Sequence, residues 1–327
     1  MSTIYDVAKR ARVSTYTVSV VLNGTAKASP KLTKRVLKAA DELNYTINSI
    51  ASSLQTRKTM TIGMLIPDIG NPWFAKVVRG VEDICREKNY SLFLGNTSND
   101  AETQNRYLTV LRSRQVEGVL LFMAADSEAG VAELVKSKKF PVVFVGRRPR
   151  MKDADFVVAD NRLGTKLAVD HLIARGHKRI AILTGQLPLL VSEDRVKGWR
   201  ESLKKASLEA PREFIKAGDW TAGEARKEMH ELMALKNRPT AVFASNLLIM
   251  NGVLAALREL KLSVPGDVEV MCSDDSEWLD VFDPQISVVL QPAYEMGTAA
   301  ARLLFEKINE PKADAQQIVL KPELKLR

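Results

Sequence analysis

Residues 3–22 read TIYDVAKRARVSTYTVSVVL, and this stretch decides the fold of the first part of the chain. Apolar residues follow the period of an α-helix before residues 12–13 and again after them. The first apolar face consists of Ile4, Val7, Ala8 and Ala11, and the second of Val18, Val21 and Leu22. Thr3 with Asp6 forms a capping pattern for the first helix, and Ser14 caps the second. The pattern predicts two short helices joined by a tight turn at Arg12 and Val13.

The second predicted helix carries polar and aromatic side chains at its exposed N-terminal end. Thr15, Tyr16 and Thr17 stand there, and Val20 follows one turn later. Such an end suits insertion into a DNA major groove, where side chains reach the edges of the bases. We therefore interpret the pair as a helix-turn-helix.

Charge distribution separates this interpretation from the alternative, two ordinary amphipathic helices in a small bundle. Residues 1–60 hold ten Lys or Arg and three acidic residues, so they carry +7 of the chain's net charge of +9. A basic end on a nearly neutral body is expected of a protein that binds phosphates. The charge favours DNA binding.

The N-terminal part continues with a third helix and a linker. Ser29 and Pro30 supply a cap and a first helical residue. One apolar stripe follows, formed by Leu32, Val36, Leu37, Ala40 and Leu43, and completes a headpiece over residues 1–46. Residues 47–60 include NSIASSLQTRKTM, in which Asn48 caps a weak, serine-rich helix. We interpret this segment as a hinge helix and linker.

From Thr61 onward, apolar runs of strand length alternate with amphipathic helical patterns to the end of the chain. Val/Ile/Leu-rich strands between helices predict parallel sheets covered on both faces. About ten strand–helix units are too many for one ordinary open sheet, so we expect two doubly wound lobes. Lobe 1 takes about 61–160 plus 292–322, and lobe 2 about 161–291 plus the C-terminal tail. The pattern includes a helix over 194–206 and one last strand, IVLKPEL, over 318–324.

Polar and aromatic residues gather where the predicted strands end, which is where open parallel sheets bind ligands. They include Asp68, Asn71, Asn96, Gly146-Arg147, Asp160-Asn161, Gly185, Ser245-Asn246 and Ser273-Asp274, with Trp73, Phe74 and Trp220 nearby. Amides and carboxylates bond hydroxyl groups, and rings stack on the apolar face of a sugar. The same residue types also occur at strand ends simply as turn and cap residues.

Several other protein classes find no support. No run of about 18 apolar residues is present, and MSTIYDVAK lacks the apolar run of a signal peptide, so we expect a cytoplasmic protein. Cys85 and Cys272 are expected to be buried thiols. His171, His177 and His230 have no partners at metal-ligand spacing, and no phosphate-binding, nucleophile-elbow or dinucleotide motif appears. We expect neither an enzyme nor a cofactor or metal, and a solute-binding protein would need a signal peptide.

Along its whole length the chain resembles the lactose/galactose/purine repressor family of bacterial transcription regulators. The motifs are TIYDVAKRA, VSTYTVSVVLNG and ADELNY in the headpiece, then IGMLIPDIGNPWF, HLIARGHKRIAILTG, RVKGW, RPTAVFASN, VPGDVEVM and QPAYEMG. The resemblance implies a hinge helix, a body like a periplasmic sugar-binding protein with three crossovers, and a homodimer on a pseudo-palindromic operator. No heptad helix follows the last strand, which favours a dimer over a tetramer.

The resemblance assigns roles to particular residues. Leu54 aligns with a leucine that enters the minor groove, and Ala51 agrees with the family pattern. Arg195 and Asp274 match the family's best-known ligand-binding pair. The chain departs from the family at Val20 (usually Arg), Arg12 (usually Gly or Asn), Ile47 (usually Pro), Leu247 (frequently Asp) and Ser273 (usually aromatic).

Two sets of candidate residues result. For DNA they are Thr3, Tyr5, Ser14, Thr15, Tyr16, Thr17, Val20, Asn23, Ser29, Lys31, Ala51 and Leu54. For a small-molecule effector they are Trp73, Phe74, Arg147, Asp160, Arg195, Trp220, Asn246 and Asp274. Leu247 removes one carboxylate from the cleft, and Arg147, Arg148 and Arg150 follow a strand end that faces it. These features predict a more basic cleft, which favours a carboxylated or phosphorylated sugar over a neutral one. The alternative is that these arginines form a solvated loop or part of the dimer surface.

Overall fold

The computed structural model describes residues 2–23, 28–45, 58–136, 140–187, 189–281 and 283–327. The chain divides into two compact units, residues 1–59 and 60–327. The first unit contains the helices α1 (Ile4–Ala11), α2 (Thr15–Asn23) and α3 (Pro30–Glu42). They enclose a small core formed by Val7, Ala8, Ala11, Val18, Val36, Ala39 and Ala40.

The predicted caps of the first unit are confirmed. The backbone N–H of Asp6 donates to Thr3 Oγ1, and the N–H of Thr3 donates to Asp6 Oδ2 at 2.8 Å, which completes a capping box. Ser14 Oγ accepts from the N–H of Thr17 at 3.2 Å, and Ser29 Oγ accepts from the N–H of Leu32 at 3.3 Å. Each bond satisfies an N–H group that the first turn of a helix leaves unpaired.

Two details of the first unit depend on backbone geometry. Arg12 ends α1 in the left-handed conformation, with φ 50° and ψ 53°. Leu37, which the sequence placed in the apolar stripe of α3, is instead 50% exposed. Its neighbour Val36 is fully buried. Since successive residues of a helix differ by about 100° around its axis, Val36 and Leu37 cannot both face the centre of this core.

The first lobe of the second unit contains a six-stranded parallel sheet. In chain order its strands are β1 (Thr61–Ile66), β2 (Ser91–Asn96), β3 (Val119–Leu121), β4 (Val142–Val145), β5 (Asp155–Ala159) and β11 (Gln317–Leu320), and in space they run β11-β5-β4-β3-β1-β2. The helices α4 (Pro72–Glu87) and α11 (Ala293–Asn309) cover one face. The helices α5 (Ala101–Ser113) and α6 (Glu128–Lys136) cover the other. Buried strands between two helical layers are what the apolar runs predicted.

The second lobe contains the other six strands. They are β6 (Ile180–Gly185), β7 (Ile215–Gly218), β8 (Ala241–Ala244), β9 (Glu269–Ser273), β10 (Val288–Leu290) and β12 (Glu323–Lys325), in the order β12-β10-β9-β8-β6-β7. Its helices are α7 (Asn161–Ala174), α8 (Leu190–Lys205), α9 (Ala222–Met233) and α10 (Leu247–Glu259). Short 3-10 helices span Arg212–Phe214 and Glu277–Asp280.

The chain crosses between the lobes after β5, after β10 and after β11. At the third crossover the structure corrects the prediction of one strand over 318–324. β11 and β12 lie in different sheets, and β12 is antiparallel to β10. Lys321 and Pro322 separate them, and proline has no N–H to donate to a strand ladder.

The structure also bears on the cysteines, on membrane-spanning helices and on metal sites. Cys85 and Cys272 are free, buried thiols, as predicted. Within the described ranges, no helix is both long enough and apolar enough to cross a membrane. The same ranges contain no group of three or more His, Cys, Asp or Glu able to hold a metal ion.

Candidate functional site

The exposed surface of the first unit displays most of the residues predicted to contact DNA. Tyr5 on α1 and Tyr16 on α2 are 73% and 76% exposed. Thr15, Thr17 and Val20 are partly exposed on α2. Thr3, Ser14, Ser29 and Lys31 are exposed at helix starts. The side chain of Asn23, and all of Ala51 and Leu54, lie outside the described residues.

The first unit also exposes basic side chains. The exposed ones are Lys9, Arg10, Arg12, Lys31, Lys34, Arg35 and Lys38. Arg10 is paired with Glu42 at 2.6 Å, with its side chain 60% exposed. Lysine and arginine side chains contact phosphates and set the position of a protein on DNA, whereas groups such as those on α2 reach bases. The surface therefore carries both kinds of group.

A cavity of about 460 Å³ lies between the two lobes of the second unit, at the carboxyl ends of their strands. Seven of the eight residues predicted for an effector line it: Trp73, Phe74, Arg147, Arg195, Trp220, Asn246 and Asp274. The eighth, Asp160, is not part of this lining. Its Oδ1 instead accepts from the N–H of Leu163 at 2.8 Å and so caps α7.

The cavity also includes polar residues absent from the predicted set. They are Asp68, Asn71, Ser98, Asn99, Asn161, Gln186, Asp219, Thr221 and Gln291. Most of them lie within a few residues of the end of a strand. Asp68, Asn71 and Asn161 stand out at such positions in the sequence but are not among the predicted effector residues. Gln291 and Asp219 follow β10 and β7 in the same way. The rule that ligands bind beyond the carboxyl ends of strands would have found them.

Aromatic rings form part of each wall. In lobe 1, Trp73, Phe74 and Phe122 pack edge to face, with ring centroids 5.0–5.9 Å apart. Gly146 has a φ of +67°, and a Cβ there would lie 2.4 Å from the ring of Phe122. In lobe 2, a Cβ on Gly185 would lie 1.8 Å from the Trp220 ring. These two glycines let the aromatic rings approach the backbone at the end of a strand.

Arg195 and Asp274 are buried beside each other in lobe 2. Arg195 is 5% exposed and Asp274 is 4% exposed. Burial raises the pKa of Asp274 to about 7, although the positive charge of Arg195 and a hydrogen bond from Gln291 oppose the shift. Burial also lowers the pKa of Arg195 to about 10, which leaves it charged at neutral pH. Gln291 Nε2 donates to Asp274 Oδ1 at 2.8 Å and to Ser273 Oγ at 2.9 Å.

Arg147 extends from the end of β4 toward the second lobe. Its Nη1 donates to Asn99 Oδ1 at 2.5 Å and to the carbonyl of Met123 at 2.8 Å. The guanidinium lies 5.9 Å from the centre of the Trp220 ring, and that of Arg195 lies 5.4 Å from it. Desolvation, together with the like charge of Arg195, lowers the pKa of Arg147 to about 10.

The predicted excess of positive charge is not found over the cavity lining as a whole. Arg148 and Arg150 do not line the cavity. They pair across the lobes with Asp194 at 2.8 Å and Glu193 at 2.9 Å. Leu247 packs in the core of lobe 2, and Leu248 lines the cavity in its place. The charged lining consists of two arginines, Arg147 and Arg195, and three carboxylates, Asp68, Asp219 and Asp274.

Three buried N–H donors on cavity-lining side chains have no hydrogen-bond partner in the described part of the chain. They are Trp73 Nε1, Trp220 Nε1 and Arg195 Nη1. Leaving a buried donor unsatisfied costs about 1–3 kcal/mol, and more for a charged group. Protein atoms cover all three nitrogens, so a ligand would recover that free energy only if these side chains turn toward the cavity when it binds.

Comparisons with known proteins match both ends of the chain to family models. Residues 3–48 match the family model described as bacterial regulatory proteins, lacI family, and residues 169–327 match a periplasmic binding protein-like domain. The chain is 36% identical over 324 residues to the ribose operon repressor of Escherichia coli (strain K12), covering 99% of this chain and 98% of the relative. It is 33% identical over 327 residues to the HTH-type transcriptional repressor PurR of Aliivibrio salmonicida (strain LFI1238), covering 100% and 98%.

A solved structure gives the same result for the fold. The structure of the lac repressor dimer bound to operator and the anti-inducer ONPF matches with a TM-score of 0.86 and 25% identity, covering 100% of this chain and 98% of that one. A DNA-binding unit of lacI type joined to a binding-protein-like body is the organisation of a ligand-responsive DNA-binding repressor, not of an enzyme. The chain therefore belongs to the LacI family of bacterial regulatory proteins.

Proposed function

We propose that this repressor controls carbohydrate-utilisation genes and responds to a sugar or a sugar acid bound between its two lobes. The observation that carries the proposal is the set of buried, unsatisfied donors on Trp73, Trp220 and Arg195. Asp274 supplies a carboxylate acceptor close to them. Neighbouring hydroxyl groups can accept from the donors and donate to the carboxylate at once. The aromatic walls suit the apolar face of a sugar ring.

The choice between a neutral sugar and a sugar acid depends on Arg147 and Arg195. Both retain their positive charge at neutral pH, and Arg195 has a donor without a partner. A partly buried anion requires such a paired cation. The three carboxylates of the lining oppose an anion, although Asp274 is only about half ionised near pH 7. We favour a sugar acid whose carboxylate lies between the two guanidinium groups and away from Asp68 and Asp219.

For DNA, we propose that a homodimer places two headpieces on a pseudo-palindromic operator. Thr15, Tyr16, Thr17 and Val20 would face the bases, and the basic side chains around them the phosphates. Ala51 and Leu54, outside the described residues, would act in hinge helices at the minor groove. Exposed apolar side chains on the body, among them Phe93 and Val281, are available for contact with a second copy.

A ligand screen tests the effector. Thermal shifts are measured with sugars, sugar acids and purines, and hits are titrated by calorimetry against the neutral counterpart of each acid. Arg195→Ala and Asp274→Ala should each abolish binding and the ligand response while operator binding persists. Arg200→Ala is the matched control, because Arg200 is exposed on the same helix as Arg195 and does not line the cavity. Arg147→Ala should remove binding of an acid only. Equal affinity for a sugar and its acid would refute the anionic part of the proposal.

A gel shift tests the DNA part of the proposal. The DNA upstream of the protein's own gene is the first probe, and a shifted band that resists random competitor DNA is the expected result. An enzyme or a solute-binding protein would give no such band. Light scattering then gives the mass of the free protein and of the complex. A monomer that binds a single half-site would refute the homodimer.

A further inference from the structure

The C-terminal tail ends in a buried arginine. The side chain of Arg327 is 4% exposed. Its Nη2 donates to Asp275 Oδ1 and to Asp280 Oδ1, both at 2.6 Å, and its Nη1 donates to the carbonyl of Ile286 at 3.1 Å. Its backbone N–H donates to Ser287 Oγ at 3.1 Å. Arg327 is therefore held at its backbone and at both ends of its guanidinium group.

Asp275 is the common partner of three cationic side chains, two from the C-terminal tail and one from the first lobe. Lys325 Nζ lies 3.1 Å from Asp275 Oδ2, and Arg327 lies 2.6 Å from Oδ1. Lys76, on α4 of the first lobe, donates from its Nζ to the carbonyl oxygen of Asp275 at 3.1 Å. The tail therefore holds the side chain of Asp275, and the first lobe holds its backbone.

The residue before Asp275 is Asp274, and its backbone is unusual. Its φ is +79°, in the left-handed region that residues other than glycine rarely adopt. Aspartate adopts this conformation more readily than most residues, but it still costs free energy that the surroundings must offset. The N–H of Asp274 donates to the carbonyl of Val289 at 3.0 Å, which fixes one side of the residue. The clamped Asp275 fixes the other side.

We propose that Lys325 and Arg327 are positioning residues for the effector: by clamping Asp275 they hold Asp274 in the left-handed conformation that directs its carboxylate into the cavity. Neither cation lines the cavity, so neither contacts the effector. The inference rests on the proposed function in one respect, the contact between Asp274 and the effector. Lys76 extends the clamp to the first lobe, so the arrangement of the lobes also affects Asp274.

The alternative is that the tail only anchors β12 to β10. That pairing uses backbone bonds of residues 288–290 and 323–325, which side-chain substitutions leave in place. The variants Lys325→Met and Arg327→Leu remove the clamp, and Arg327→Lys retains a cation. Lys321→Met is the matched control, because Lys321 is exposed on the same tail and has no bond to Asp275.

The experiment measures calorimetric dissociation constants for D-ribose and D-gluconate in the full-length protein. Lys325→Met and Arg327→Leu should weaken binding about tenfold, while Arg327→Lys restores part of the loss and Lys321→Met has no effect. Operator affinity without ligand should be unchanged in all four variants. Hydrogen exchange of the Asp274 amide is measured in parallel and should be faster in the first two variants only.

The outcomes separate the inference from the proposed function. If Asp274→Asn abolishes sugar binding but the tail variants bind normally, the tail is only an anchor and the inference is wrong. If Asp274→Asn binds normally, the proposed function fails. The exchange measurement needs no effector. Unchanged protection of the Asp274 amide in Lys325→Met and Arg327→Leu overturns the inference even where neither sugar binds the parent protein.

Discussion

Lowering the pH from 8 to 6 should weaken the binding of a neutral sugar about tenfold, because only the ionised Asp274 accepts hydrogen bonds from hydroxyl groups with both of its oxygens. Burial raises the pKa of Asp274 to about 7. The ionised fraction then falls from about nine tenths to about one tenth over this interval, which corresponds to about 1.4 kcal/mol of binding free energy. Calorimetry with a neutral sugar, which does not itself titrate, measures the change directly.

The sign of the linkage separates this effect from unfolding. The folded-state pKa of Asp274 lies above its ordinary value, so this group stabilises the fold as pH falls from about 7 toward 4. Weaker binding at pH 6 would thus accompany a more favourable contribution of Asp274 to stability. Asp274→Asn, which cannot be ionised, should bind the sugar no better at pH 8 than at pH 6. Glu228→Gln should retain it, since Glu228 also has a pKa of about 7 but does not line the cavity. A flat wild-type profile between pH 6 and 8 would refute the reasoning.

Three further predictions concern the DNA-binding unit. Val20→Arg should shift base preference toward guanine at one operator position by about 1–3 kcal/mol, and a binding-site selection showing no change would remove Val20 from the reading surface. Arg12→Gly should stabilise the headpiece by about 1 kcal/mol in thermal unfolding, because Arg12 holds a φ of 50°. If Arg12 also contacts a phosphate, the same variant lowers the salt dependence of DNA binding. Leu54→Ala should weaken specific binding while affinity for random DNA persists, since it removes an unstacking wedge and no charge; equal loss on both DNAs would make Leu54 a packing residue.

Local sequence patterns were sufficient for the fold class. The helix-turn-helix followed from residues spaced three or four apart, and its caps followed from Thr3, Ser14 and Ser29. The two parallel sheets followed from Val/Ile/Leu runs bounded by helical patterns. These signals depend on neighbours within one turn or one strand. The misplaced Leu37 shows their limit, because an apolar residue at the edge of a helical stripe is buried only if another element covers it.

The side chains that face the cavity depend on contacts between residues far apart in the sequence, which local patterns do not predict. Arg147, Arg148 and Arg150 look alike in the sequence, but only Arg147 faces the cavity, while acidic residues of α8 hold the other two. α8 itself begins at Leu190, four residues before the predicted start, with no side-chain cap to mark it. Asp160 and Asp274 both end strands, but one caps a helix and the other enters the cavity. Which way each side chain points depends on the local backbone conformation, and that of Asp274 is left-handed.

The distribution of unsatisfied donors gives the cleft a physical basis for responding to its ligand. Trp73 belongs to the first lobe, whereas Trp220 and Arg195 belong to the second. A ligand that bonded all three would have to contact both lobes, so it would bind one arrangement of the lobes better than another. A ligand shifts a conformational equilibrium only by its difference in affinity for the two states. One donor left unpaired in the other arrangement costs about 1–3 kcal/mol, the usual size of an allosteric coupling. A ligand that gained or lost one such bond as the lobes move would therefore shift their equilibrium by an amount of this size.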